Sequence, residues 1–213
     1  MAGGVKPRAH KRRTYHHGDL PAALLDAADA LVAEKGPAGF SLREAARVVG
    51  VDPAACYRHF RDREAILQAL ARRGFTRLAA ALAAVVAESR ARPAGVIAEL
   101  GRAYVRFALD HPSAFRAMFG PHGVDARDPL LRGDYPDGIG AYERLQRAIA
   151  AWAEADALKL DLEQASLALW SGVHGLACLL IDGALRVANP TSVVDATIAT
   201  LVAGLGAPRR GRR

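Results

Sequence analysis

Residues 41–63, SLREAARVVGVDPAACYRHFRDR, hold the side chains of this chain best suited to chemistry. Arg43, Tyr57, Arg58, His59 and Arg63 are hydrogen-bond donors, and the arginines carry fixed positive charge. Pro53 and Ala54, just ahead of them, are small and permit close approach. Donors grouped beside small residues suit contact with phosphates and with base edges in the major groove of duplex DNA.

The elements that would position these residues are written in the same stretch. Ser41 and Glu44 have the S-x-x-E spacing of a capping box, which starts a helix by satisfying its orphan N–H groups. Gly50 suits the left-handed exit from that helix. Asp52 can cap the next helix, with Pro53 in its first position, where a missing N–H costs nothing. The expected unit is helix, glycine turn, helix, with the second helix running from Pro53 to His59. Cys56 and Phe60, four apart, share an inward face and pack with Val49, Val51, Phe40 and Leu42. Pro53, Ala54, Tyr57 and Arg58 face outward. Arg43, at the start of the preceding helix, is placed to reach a phosphate beside the groove. Asp62 caps a long helix from Arg63 to about Arg90, and Arg63 at its positive end is either a phosphate contact or a solvated charge. The competing reading is a small helical hairpin with a solvated basic face.

Charge distribution supports a polyanion partner for the N-terminal part. The formal net charge is +7. Residues 1–75 carry 13 Lys/Arg against 8 Asp/Glu, residues 76–208 carry 12 against 14, and residues 209–213 contain four arginines. Basic charge is thus concentrated at the two ends around a nearly neutral body.

Other classes find little support. There is no G-x-S-x-G, P-loop or G-x-G-x-x-G pattern, so no enzyme is expected. His174 and Asp182 are more than two helical turns apart, too far for an acid–base pair on one straight helix. The cysteines, Cys56 and Cys178, lie on apolar helical faces and read as free thiols suited to a reducing cytoplasm. His16 and His17 are adjacent and would point apart on a helix, so neither a metal nor a cofactor is expected. The N-terminus lacks the apolar run of a signal peptide. Leu167–Ile181 reads as a buried core helix, too short to span a bilayer.

The whole chain reads as all-α. Residues 1–17 form a basic arm that either reaches along DNA or stays a solvated tail. Residues 18–62 hold the helix-turn-helix unit, whose first helix runs from Leu20 to Lys35 behind Asp19. Residues 63–206 form a larger helical domain, and 207–213 a basic tail. Helices are expected over 94–110, 112–119, 139–154, 162 to about 187, and 192–205, with a loop over 120–138.

The segments GDLPAALLDAADALVAEKG and FSLREAARVVGVDPAACYRHFRDREAIL, with YHHGDL ahead of the first helix, resemble the N-terminal domain of the tetracycline-repressor (TetR) family over residues 15 to about 70. WSGVHGLACLLIDG is similar to one C-terminal subtype of that family. The resemblance implies an all-helical homodimer with a three-helix DNA-binding domain and a larger domain that dimerises and holds a small-molecule effector. Tyr57 and His59 match backbone-contacting positions, Arg43 matches a contacting position, Arg63 replaces the usual lysine, and Cys56 replaces a larger aliphatic residue. The implied function is a ligand-released repressor on a palindromic operator. A non-specific architectural or adaptor DNA-binding protein is the alternative.

For the larger domain, Tyr104, Phe107, Phe115, Met118, Phe119, Tyr142, Trp152, Trp170 and His174 are the pocket candidates, with ordinary core packing as the other reading. Leu167, Val173, Leu176 and Leu180, with Val194, Ile198, Leu201 and Val202, form broad apolar faces. They serve either a four-helix dimer interface or the protomer's own core. Gly172, Gly175 and Gly183 would permit close helix approach. A palindrome reader needs its two recognition helices held about 34–36 Å apart, which favours the interface.

Overall fold

The computed structural model describes residues 19–120, 140–155 and 158–206. The expected arm over 1–17, the loop over 120–138 apart from Gly120, and the tail over 207–213 lie outside them. Among the described residues there are nine helices: α1 Leu20–Lys35, α2 Leu42–Val49, α3 Pro53–Tyr57, α4 Arg63–Glu88, α5 Pro93–Asp110, α6 Pro112–Phe119, α7 Ala141–Ala155, α8 Leu162–Ile181 and α9 Pro190–Leu205. No strand occurs there, only an isolated bridge between Leu158 and Gly206. The fold is all-α.

Local chemistry sets most boundaries. Asp19 caps α1 through Ala22, Asp62 caps α4 through Ala65, Asp161 caps α8 through Gln164, and Asn189 caps α9 through Ser192. Each side chain satisfies an N–H that the first turn leaves without a partner. Helix α8 stops six residues short of the expected Val187. Gly183 takes φ +69, and Leu185 N–H bonds back to Leu179 at 2.9 Å. A left-handed glycine redirects the chain there before Ala184 to Val187 can extend the helix.

Two cores form, joined by shared helices. The N-terminal core gathers Leu24, Leu31, Phe40, Leu42, Cys56, Phe60, Ile66, Leu67 and Leu70. It therefore continues past residue 62 into the first turns of α4. The C-terminal core takes Phe75, Leu78 and Leu82 from the same helix, with residues of α5, α6, α8 and α9. Helix α6 also faces both ways, since Ala117 packs in the N-terminal core while Phe115 and Met118 pack in the C-terminal one. Arg73 of α4 pairs with Asp26 and Asp29 of α1, and Ser113 of α6 donates to Asp29 at 2.8 Å. A third cluster holds Ile97, Ile149, Trp152, Leu169 and Leu205.

Helix α8, at 20 residues, is long and apolar enough by composition to cross a membrane, so length alone does not argue against a span. One stripe of it, Ala165, Leu169, Val173, Leu176 and Ala177, is buried against neighbouring helices, while Leu162, Leu167 and Leu179 stay exposed.

Candidate nucleic-acid interface and internal cavity

Three caps build the interface. Ser41 Oγ accepts the Glu44 N–H at 3.3 Å while Glu44 accepts the Ser41 N–H at 3.0 Å, so the capping box is formed in both directions. Lys35 at the end of α1 also donates to Glu44 at 2.7 Å. These contacts hold the Glu44 carboxyl below the usual carboxylate range, the Lys35 hydrogen bond being the largest cause. Gly50 then takes φ +79 and turns the chain. Asp52 accepts the Ala54 N–H at 2.7 Å and starts α3 on Pro53.

Helix α3 ends at Tyr57, two residues before the expected His59. The His59 N–H bonds to Cys56 O at 3.0 Å, an i to i−3 bond that tightens the last turn. Cys56 is fully buried, and burial pushes its thiol pKa up, so it acts as a small apolar anchor. Phe60 is buried beside it, and Val49 and Val51 pack against the same core. With that face anchored inward, Pro53, Ala54, Tyr57, Arg58 and His59 are all exposed. Tyr57 keeps 48% of its surface accessible, high for an aromatic residue on a folded domain.

Arg43 is exposed on α2, four residues before the exposed Arg47. Arg47 was missed in the sequence, although the i, i+4 spacing of two arginines on the polar face was the available signal. Val48, 60% exposed beside them, was also missed. Arg63 is exposed but donates to Ala38 O at 2.9 Å, which ties the start of α4 to the turn before α2.

A cavity of about 350 Å³ lies in the C-terminal domain. Of the pocket candidates, Tyr104, Met118, Phe119, Tyr142 and Trp170 line it. Phe107, Phe115 and Trp152 do not line it and are buried in core packing. His174 stands behind the wall: its Nδ1 lies 2.9 Å from Tyr104 Oη, and Trp170 Nε1 donates to the same Oη at 3.3 Å. Its ring stacks on Phe115, and burial lowers its pKa. Asp182 pairs with Arg116, not with His174. The aliphatic lining, including Leu82, Ile97, Leu100, Leu145, Leu169 and Ile198, had no local sequence signal.

The interface candidates on α8 and α9 divide. Val173, Leu176, Val194 and Ile198 are buried within the protomer, and Val173 and Ile198 also line the cavity. Leu180, Leu201 and Val202 are partly buried against the same core. Leu167 alone of the eight is well exposed, at 53%, with Leu179 at 49% on the same helix. Of the glycines, Gly172 packs tightly on Leu201 of its own chain, Gly183 ends α8, and a Cβ built at Gly175 would meet nothing within 4 Å.

No group of three or more His, Cys, Asp or Glu side chains is arranged to hold a metal among the described residues. An N-terminal helix-turn-helix with an exposed basic face, built on a helical domain that holds an apolar cavity, defines a class of transcriptional regulator. Comparison with known families agrees. Residues 24–70 match the "Bacterial regulatory proteins, tetR family" domain, and residues 97–205 match the "Tetracyclin repressor-like, C-terminal domain". The chain belongs to the TetR family of DNA-binding transcriptional regulators.

Among individual relatives, the chain is similar to the uncharacterized HTH-type transcriptional regulator YobS of Bacillus subtilis (strain 168), 33% identical over 94 residues. That match covers 44% of this chain and about half, 48%, of the relative. A solved protein of unknown function from Rhodococcus sp. RHA1 is 36% identical, with a TM-score of 0.76, and the match covers 92% of this chain and 100% of that one. The TetR family transcriptional regulator PfmR from Thermus thermophilus shares the fold at 22% identity and a TM-score of 0.64, over 84% of this chain and 97% of its own.

Proposed function

We propose that this protein is a ligand-released repressor that binds a palindromic operator as a homodimer in the cytoplasm. The observation that carries the reading is the exposed face of Pro53, Ala54 and Tyr57 on α3, continued by Arg58 and His59 in the turn that follows, all anchored from behind by Cys56 and Phe60. Tyr57, Arg58 and His59 meet base edges and phosphates in the major groove, and Arg43 meets the backbone beside it. Arg63 contributes positive charge at the start of α4 while its side chain braces the Ala38 turn.

The dimer face is the outer side of α8 and α9. Leu167, Ser171 and Leu179 are exposed on α8, and Ala196, Ala199 and Ala203 are exposed on α9. Two such helix pairs from two protomers form a four-helix interface, with the small α9 residues permitting close approach. An effector in the C-terminal cavity favours a protomer arrangement in which the recognition helices no longer match successive grooves, and operator affinity falls.

Binding-site selection from a random duplex pool tests this. A palindromic consensus preferred over random duplex by about 10³ or more supports the reading. Near-equal binding with a steep salt dependence supports the architectural alternative.

A further inference from the structure

We infer that the C-terminal cavity takes an uncharged, largely hydrocarbon molecule bearing one hydroxyl or carbonyl oxygen, which the Tyr104 hydroxyl anchors. The inference rests on the reading of this domain as the effector-binding one and names the ligand class. The lining residues are aliphatic or aromatic, and none of those described carries a charge. Arg144, buried on α7 next to Leu145, has a partner of its own and does not line the cavity. A carboxylate or ammonium entering would lose hydration with no counter-ion among the described lining residues to replace it. The volume of about 350 Å³ falls at the lower end of the ~300–1,000 Å³ range of small-molecule pockets.

Besides the Tyr142 side chain, the wall carries a hydrogen bond joining two lining residues, Trp170 Nε1–H to Tyr104 Oη, continued from Tyr104 to His174 Nδ1 at 2.9 Å. His174 Nε2 lies 3.5 Å from Cys178 Sγ. A neutral histidine carries one ring proton, and this chain of groups is satisfied in either direction. With the proton on Nε2, Tyr104 donates to Nδ1 and its oxygen keeps a lone pair for a ligand hydroxyl. With the proton on Nδ1, Tyr104 accepts from both His174 and Trp170, Cys178 S–H donates to Nε2, and the tyrosine hydrogen is released to a ligand carbonyl. No net charge moves in either arrangement. Burial disfavours the imidazolium, which keeps the relay neutral.

The test uses the full chain without DNA and ligands of one carbon skeleton: decan-1-ol, decan-2-one, decanoate and decylamine. Quenching of tryptophan fluorescence follows binding, with Trp170 in the wall as reporter, and calorimetry confirms it. The alcohol and the ketone are expected to bind about tenfold or more tightly than either ion at pH 7. Tyr104→Phe should cost both neutral oxygenated ligands about three- to tenfold and leave butylbenzene, which has no oxygen, unaffected. Leu145→Trp, at a partly exposed lining position, should weaken all of them while the helical circular dichroism is unchanged. Decanoate or decylamine binding as tightly as decan-1-ol, or Tyr104→Phe leaving the oxygenated ligands unaffected, would overturn the inference. Because no operator is present, such a failure leaves the repressor reading standing, and loss of operator preference in the selection experiment leaves this one standing.

Discussion

At the scale of single residues, the functional assignments turn on which side chains are held and which are free to meet a partner. Tyr57, Arg58 and His59 are exposed because Cys56 and Phe60 occupy the inward face of the same short segment. Arg43 is exposed on the neighbouring helix, and in the proposed phosphate-contact role it would add affinity without reading sequence. Arg43→Ala should therefore weaken binding to operator and random duplex alike, and lower the slope of log affinity against log salt by about 0.9, measured by fluorescence anisotropy. His174 gives a pH prediction. Its folded pKa lies below 6.5, so the unfolded chain binds the extra proton first. Stability contributed by the neutral ring is complete above about pH 6.5 and declines as pH falls through that value toward the lowered one. Thermal melts between pH 7.5 and 5 should show this decline, and His174→Phe should flatten it.

At the scale of elements, the N-terminal unit was legible because its signals are local. Ser41 with Glu44, Gly50, and Asp52 with Pro53 each act within four residues, and each cap formed as spaced. The last residues of the recognition segment were less legible, since a 3₁₀-type bond at His59 competes with another helical turn. Helix α8 was read too long because Ala184 to Val187 continue an apolar pattern, while the positive φ at Gly183 decides the end. Nothing lies within 4 Å of a Cβ built at Gly183, so the cost of Gly183→Ala is backbone strain alone. It should destabilise by about 1 kcal/mol and lower Tm by roughly 2–4 °C, read by calorimetry. The cavity was half legible. Its aromatic residues stand out by type, but its aliphatic walls come from several helices and depend on tertiary packing. Gly101 shows the dependence, because a Cβ there would lie 2.9 Å from Ile198 and 3.4 Å from Val173.

At the scale of the whole molecule, the α8 and α9 faces were ambiguous because both helices are apolar on most sides. Packing against α5 settles which side turns inward: Val173 and Ile198 close on Gly101, leaving Leu167 and Leu179 outside. Leu167→Arg with Leu179→Arg should yield a folded monomer by sedimentation equilibrium, with operator affinity sharply reduced because one half-site is held at a time. Leu176→Arg should instead cost stability, since it buries a charge in the protomer core. A double variant that sediments as a dimer with parent stability would move the interface elsewhere. The shared helices complete this scale, since α4 and α6 belong to both cores and Asp29 of α1 is tied to Arg73 and Ser113. Movement around the cavity thus has a packed route to the DNA-binding unit.

The central claim is that the exposed face of α3 and the turn after it, through Arg58 and His59, reads DNA sequence. Anisotropy titration of a selected operator and a scrambled duplex, with the parent and with Tyr57→Ala/Arg58→Ala, tests it most directly. The account predicts a parent preference of about 10³-fold or more, collapsing to a ratio of about one in the variant while melting and dimer mass are unchanged. A variant that keeps the parent's preference would contradict it.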